Sequence, residues 1–171
     1  MNRIQAILLA LSALPLLAGA STTVDEAKTR GKAIYHNGSS PSGAEIVALV
    51  GETRTEIPAA VLPCSNCHGT DGRGGQQPGI AAADITWPVL SRPRPATPPQ
   101  EVKPRPPYTG ELLLRAITRG VDSAGRRLHI AMPRYRLTRR DASDLVTYLQ
   151  HLGDETEIDT AAPARPTGSS P

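Results

Sequence analysis

Both cysteines of the 171-residue chain lie in "CSNCH", residues 64–68, with a histidine directly after the second. Two thiols three positions apart can cycle as a redox disulfide, furnish half of a zinc site, or anchor a haem through thioethers. A redox pair is expected after a strand in a mixed α/β pattern. Here "AAVLP" precedes the motif and a glycine-rich run follows it. A zinc site needs four ligands as a rule, so two distant histidines would have to join Cys64 and Cys67. A structural disulfide across two residues would constrain little chain. None of these readings uses the position of His68. Covalent haem attachment does: two thioethers hold the porphyrin edge and the next side chain sits close to the metal axis.

His68 would supply one iron ligand, which leaves the sixth position. Met132, His36, His129, His151 or no side chain at all could occupy it. Apart from Met1, Met132 is the only methionine. A lone methionine is commonly a core filler. This one sits in "LHIAMPRYRL", where Pro133 stiffens the backbone and presents the sulfur from a loop. A thioether ligand would favour reduced iron and raise the potential. His129 is its main rival, three residues earlier. His151 falls near the end of a helix, and His36 has no comparable local context.

These residues need elements to position them. Residues 22–36 have a helical pattern with Asp25 and Glu26 suited to its first turn, and Asn37-Gly38 ends it. Ile46–Val50 and Thr55–Ile57 read as two short strands about a turn at Gly51-Glu52. Residues 72–107, rich in Gly, Pro and Ala, carry few periodic signals and are expected to wrap a surface or a cofactor edge. Thr109–Arg119 forms a helix with an apolar face of Leu112, Leu113, Ala116 and Ile117, ended by Gly120. In the last helix Thr138 caps, Asp141 takes the third helical position, and Leu145, Tyr148, Leu149 and Leu152 recur at helical spacing before Gly153.

The flanks and the composition set bounds. "MNRIQAILLALSALPLLAGAS" has a basic start, a short apolar run and a small-residue cleavage site, which predicts a signal peptide over 1–20. No later segment is apolar enough to span a bilayer. Residues 154–171 lack a foldable apolar pattern and read as a flexible tail. The formal charge of +3, with arginines interleaved among acids, argues against a nucleic-acid partner. Phenylalanine is absent while prolines number 17 and glycines 15, so long irregular segments are expected. A buried flat cofactor could supply part of the missing core volume.

"GKAIY", "CSNCHGTDGRG", "YTGELLLRAITRG", "AMPRY" and "DLVTYLQHL" together resemble the small monohaem class I cytochromes c, over most of residues 31–152. The resemblance implies a mostly α class I cytochrome c fold with long loops, built around one covalently attached haem c; the inserted "EIVALVGETRTEI", a departure from the family, could form a small β-hairpin beside the haem or a partner-contact flap. The domain would run over 21–153, with the insertion at 36–62. It implies a crossing of the first and last helices at Gly31 and Tyr35 against Tyr148. It assigns Cys64 and Cys67 to the thioethers, His68 as proximal ligand and Met132 as distal ligand. Family members often bond the proximal imidazole to a proline carbonyl, for which Pro78 is the best match by position. Trp87 could cover a haem edge, bond a propionate or belong to local core. Arg134 and Tyr135 could anchor the distal loop or touch a propionate, and a plain surface role for Arg134 is an equal alternative. Two departures stand out: 28 residues separate Tyr35 from Cys64, and the 72–107 segment is long.

Iron with two protein ligands has no vacant position for a substrate, so single-electron transfer is the expected work. The expectation is a periplasmic electron carrier serving redox protein partners, or the haem subunit of a dehydrogenase or oxidase complex. It is a non-catalytic role, with no transmembrane segment in the mature chain. Without Met132 as a stable ligand, a small-ligand sensor or a peroxidase-like enzyme becomes the alternative.

Overall fold

A computed structural model describes residues 19–77, 80–95 and 104–154. Helix α1 (Gly19–Asn37) begins earlier than expected, so Asp25 and Glu26 fall in its second turn. They therefore gain little from the helix dipole, whose effect fades beyond the first turn. Glu26 instead faces Arg30 at 3.6 Å, one turn on. Gly38 stops the helix in the left-handed region, its amide donating to the Ile34 carbonyl at 2.9 Å. That conformation is cheap only for glycine.

The short strands before the cysteines form as a hairpin, β1 (Val47–Val50) and β2 (Thr55–Pro58), in antiparallel register. A strand that the periodicity missed, β5 (Arg134–Arg136), pairs with the other edge of β1. The sheet order is β2-β1-β5, so the inserted hairpin supplies the central strand. Past a single 3₁₀ turn comes α2 (Ser65–His68). Among its described residues the 72–107 segment holds no long element, as expected, but it is not featureless. It forms a hairpin of β3 (Gly75–Gln77) and β4 (Ile80–Ala82), then one helical turn, α3 (Trp87–Leu90).

Helix α4 (Gly110–Arg119) starts as expected, with the Thr109 hydroxyl accepting from the Leu112 amide at 3.2 Å. Gly120 ends it at φ +67°. Helix α5 (Arg139–Leu149) starts with Thr138 Oγ1 accepting from the Asp141 amide at 3.1 Å. It ends four residues before Gly153, which lies in a following turn against Thr86.

The fold closes where α1 crosses α5. A Cβ on Gly31 would lie 2.1 Å from the Asp144 carbonyl oxygen and 2.6 Å from Tyr148 Cβ. Only a bare Cα permits that approach. Around it, Arg30 grips Asp144 with two hydrogen bonds of 2.7 and 3.0 Å. The Tyr35 and Tyr148 rings pack 5.4 Å apart. Ile34, Tyr35, Leu113, Ile117, Leu145 and Leu149 are among the buried side chains of the core. The architecture is mostly helical, as expected for the class I cytochrome c fold.

Candidate functional site

Helix α2 is one turn long, with Cys64 at its N-cap already in helical conformation. The His68 amide donates to the Cys64 carbonyl at 3.0 Å, and the Cys67 amide to the same oxygen at 3.2 Å. Residues three and four apart on a helix share a face. Both thiols and the imidazole therefore leave the same side of this turn. Gly69, at φ +78°, takes the chain away immediately afterwards.

The two thiols are unbridged. Cys64 is packed partly against the core, and burial pushes its thiol up to about 12. A redox or nucleophilic cysteine needs a thiolate near neutral pH. Cys64 lacks that activation, which speaks against it as the nucleophile of a redox pair. Among the described residues, no three His, Cys, Asp or Glu side chains converge as a metal-binding group. The four-donor zinc arrangement thus finds no support either. A haem iron asks less of the chain: one imidazole and one thioether.

His68 meets that demand. Its Nδ1 lies 2.9 Å from the Ala83 carbonyl oxygen. A carbonyl can only accept, so Nδ1 carries the proton and Nε2 keeps its lone pair. The same bond fixes the ring plane, as such partners do for metal-ligating histidines. Burial lowers the His68 pKa, outweighing the opposite pull of the Ala83 bond, so the ring is held neutral. Pro78, the expected partner, lies outside the described residues; the carbonyl that meets the ring belongs to Ala83. The β3–β4 hairpin delivers it, with Gly75 opposite Ala82 and the Gly74 amide donating to the His68 carbonyl at 2.9 Å. Nothing in the sequence marked Ala83, because a backbone carbonyl carries no residue identity.

Two tyrosine hydroxyls bracket the motif. Tyr35 on α1 donates to the Gly69 carbonyl at 2.7 Å, and Tyr135 on β5 donates to the Leu62 carbonyl at 2.7 Å. Both rings are buried, and desolvation drives both pKa values well above the usual tyrosine value. Both phenols therefore stay protonated donors. In "RYR" one buried residue stands between two more exposed ones, an alternation too short to mark β5 in the sequence.

Met132 is partly buried and lines a cavity of about 630 Å³ with Leu49, Val121, Leu128, Ile130 and Arg134. Cys64, Cys67 and His68 are not among its walls. The rival His129 is exposed, and its Nδ1 accepts from the Ala131 amide at 3.2 Å. That bond uses one lone pair and puts the neutral ring's proton on Nε2, leaving no free donor nitrogen. His151 bonds back to the Thr147 carbonyl within its own turn, and His36 lies against the Tyr148 hydroxyl. Trp87 is partly buried against the core, in keeping with the local-core reading. The Arg134 guanidinium is turned onto carbonyls of the Met132 loop.

A family model described as cytochrome c matches residues 59–153. The chain belongs to the cytochrome c family. The match takes in Cys64, Cys67, His68 and Met132, and leaves α1 and the β1–β2 hairpin outside it. Cytochrome c membership implies a haem c cofactor, and two unbridged thiols beside an imidazole with a free Nε2 on one helical turn fit that group. No match was found among curated proteins or among solved structures. Among the described residues, no helix is long and apolar enough to cross a membrane.

Proposed function

We propose that Cys64 and Cys67 hold one haem c through thioether bonds, with His68 and Met132 as the axial ligands of its iron. The protein then passes single electrons between redox proteins in the periplasm, as a carrier or as the haem subunit of a dehydrogenase or oxidase complex. The order of basic, apolar and small residues in 1–20 supports export.

The His68 ring carries this reading: one nitrogen is fixed on Ala83, and the other is left with its lone pair on the face shared by both thiols. Bound haem would supply one-electron chemistry at its iron. The chain's own work is to hold the imidazole neutral, keep both cysteines on one side of a helical turn, and present a thioether from a stiffened loop.

The test uses haem-loaded protein. Cys64→Ser is expected to change the spectrum of a two-thioether haem to that of a one-thioether haem. Met132→Ala is expected to abolish the weak sulfur-to-iron band at the red edge of the oxidised spectrum. Survival of either feature in its variant overturns the assignment. Rapid binding of an added ligand by the native protein would transfer the reading to a sensor or a peroxidase-like enzyme.

A further inference from the structure

We propose that Arg134 is the positioning residue for the Met132 loop, and that the inserted β1–β2 hairpin is the rail on which it is mounted. The inference rests on the reading of Met132 as a ligand. Residues 128–133 carry no helix or strand; the Met132 amide donates to the His129 carbonyl at 3.2 Å within the loop, and the other carbonyls need partners from elsewhere. One guanidinium meets four of the loop's carbonyls. Arg134 Nη1 donates to the Met132 carbonyl and to the Pro133 carbonyl at 3.4 Å. Nη2 donates to the Leu128 carbonyl at 3.2 Å and reaches the His129 carbonyl at 3.5 Å. A rigid planar fork with five N–H donors suits such a ring of acceptors; a lysine ammonium does not.

The surrounding fold makes room for this side chain and fixes its base. A Cβ on Gly120 would fall 1.7 Å from Arg134 Nε, so the glycine that ends α4 also opens the slot for the arginine. The Leu128 amide donates to the Gly120 carbonyl at 2.8 Å, closing the start of the loop on the same residue. At the other end, Arg134 pairs with Leu49 in the β1–β5 ladder. β1 is the central strand, held on its far side by β2. The next residue, Tyr135, reaches the Leu62 carbonyl two positions before Cys64. The loop that presents Met132 is thus tied to the thiol-bearing segment through one short strand. The insertion that departs from the family pattern thereby gains a structural role, since it lines up that strand.

The experiment compares oxidised, haem-loaded wild type with Arg134→Gln, Arg134→Lys and Met132→Ala. The readouts are the rate of imidazole binding and amide hydrogen exchange at Leu128 and Met132. Arg134→Gln is expected to bind imidazole roughly tenfold faster or more, the factor for losing one charge-assisted hydrogen bond. Exchange at both amides rises with it. Arg134→Lys falls between the two, because one ammonium cannot satisfy four carbonyls. Wild-type rates in both readouts for Arg134→Gln overturn the proposal. If Arg134→Gln does not accumulate, Arg134→Lys decides by the same two readouts. If Met132→Ala binds imidazole no faster than wild type, the ligand assignment falls and this proposal falls with it. A fast Met132→Ala beside an unchanged Arg134→Gln rejects the positioning role alone.

Discussion

Replacing Gly31 with alanine adds one methyl group at the α1–α5 crossing. That carbon would sit 2.1 Å from the Asp144 carbonyl oxygen, 2.6 Å from Tyr148 Cβ and 2.8 Å from the Asp144 carbonyl carbon. Two of the three atoms are backbone, so no rotamer change relieves the overlap and the helices must separate. Overpacking of this kind costs about 1–3 kcal/mol, and this case belongs at the upper end because the obstacle is main chain. Separation also weakens the Tyr35–Tyr148 ring pair, worth about 0.5–1.5 kcal/mol. Against this, alanine restores about 1 kcal/mol of helix propensity. The net loss is about 2–3 kcal/mol, or roughly 1–2 M in the urea midpoint at an ordinary m-value. Urea unfolding followed by far-UV circular dichroism measures it. Gly31→Ala with wild-type stability or better would refute the close-approach argument. So would rescue of Gly31→Ala by Tyr148→Ala, since that truncation leaves both the Asp144 backbone and the residue 148 Cβ in place.

The two motif-bracketing tyrosines set an alkaline limit. Their pKa values are raised by burial, so the unfolded chain loses these protons first. Stability present below about pH 10 is then lost as pH rises, by about 1.4 kcal/mol per pH unit for each phenol. Tyr135→Phe should flatten that slope in urea titrations at pH 9–11, and an unchanged slope would show the phenol is not buried as described. Gly74→Ala is expected to cost about 2–3 kcal/mol, since its Cβ would lie 2.3 Å from the Ala82 carbonyl oxygen at φ +85°. It should also disturb His68 by moving Ala83, seen as a changed imidazole Nδ1–H signal in proton NMR; an intact signal would separate the hairpin from the ring. Thr138→Ala removes a helix cap and a 2.6 Å hydroxyl donor to the buried Asp141 carboxylate. The loss should be about 1–2 kcal/mol in thermal or urea unfolding, and no loss would mean the cap is redundant.

Local chemistry was readable wherever it is written in residue types at short spacing. Thr138 with Asp141 and Thr109 before an apolar face marked two helix starts, because caps and stripes depend only on near neighbours. Gly31, Tyr35 and Tyr148 were placed at the helix crossing by family resemblance, and the rings and the bare Cα meet there. The start of α1 was missed because Asp25 and Glu26 imitate a first turn six residues inside the helix. The β3–β4 hairpin and β5 were missed because three-residue strands are too short to show a period.

The motif chemistry belongs to the sequence alone. Two thiols and an imidazole at positions 64, 67 and 68 share a face of any helical turn, whatever surrounds them. What only tertiary structure decided is how that chemistry is held. His68 takes its tautomer from Ala83, 15 residues away across a hairpin. Tyr135 joins the strand that follows the Met132 loop to Leu62, 73 residues earlier. Arg134 finds four carbonyls and a slot left by Gly120. Backbone carbonyls are the same at every residue, so their partners cannot be named until the chain has folded back on itself.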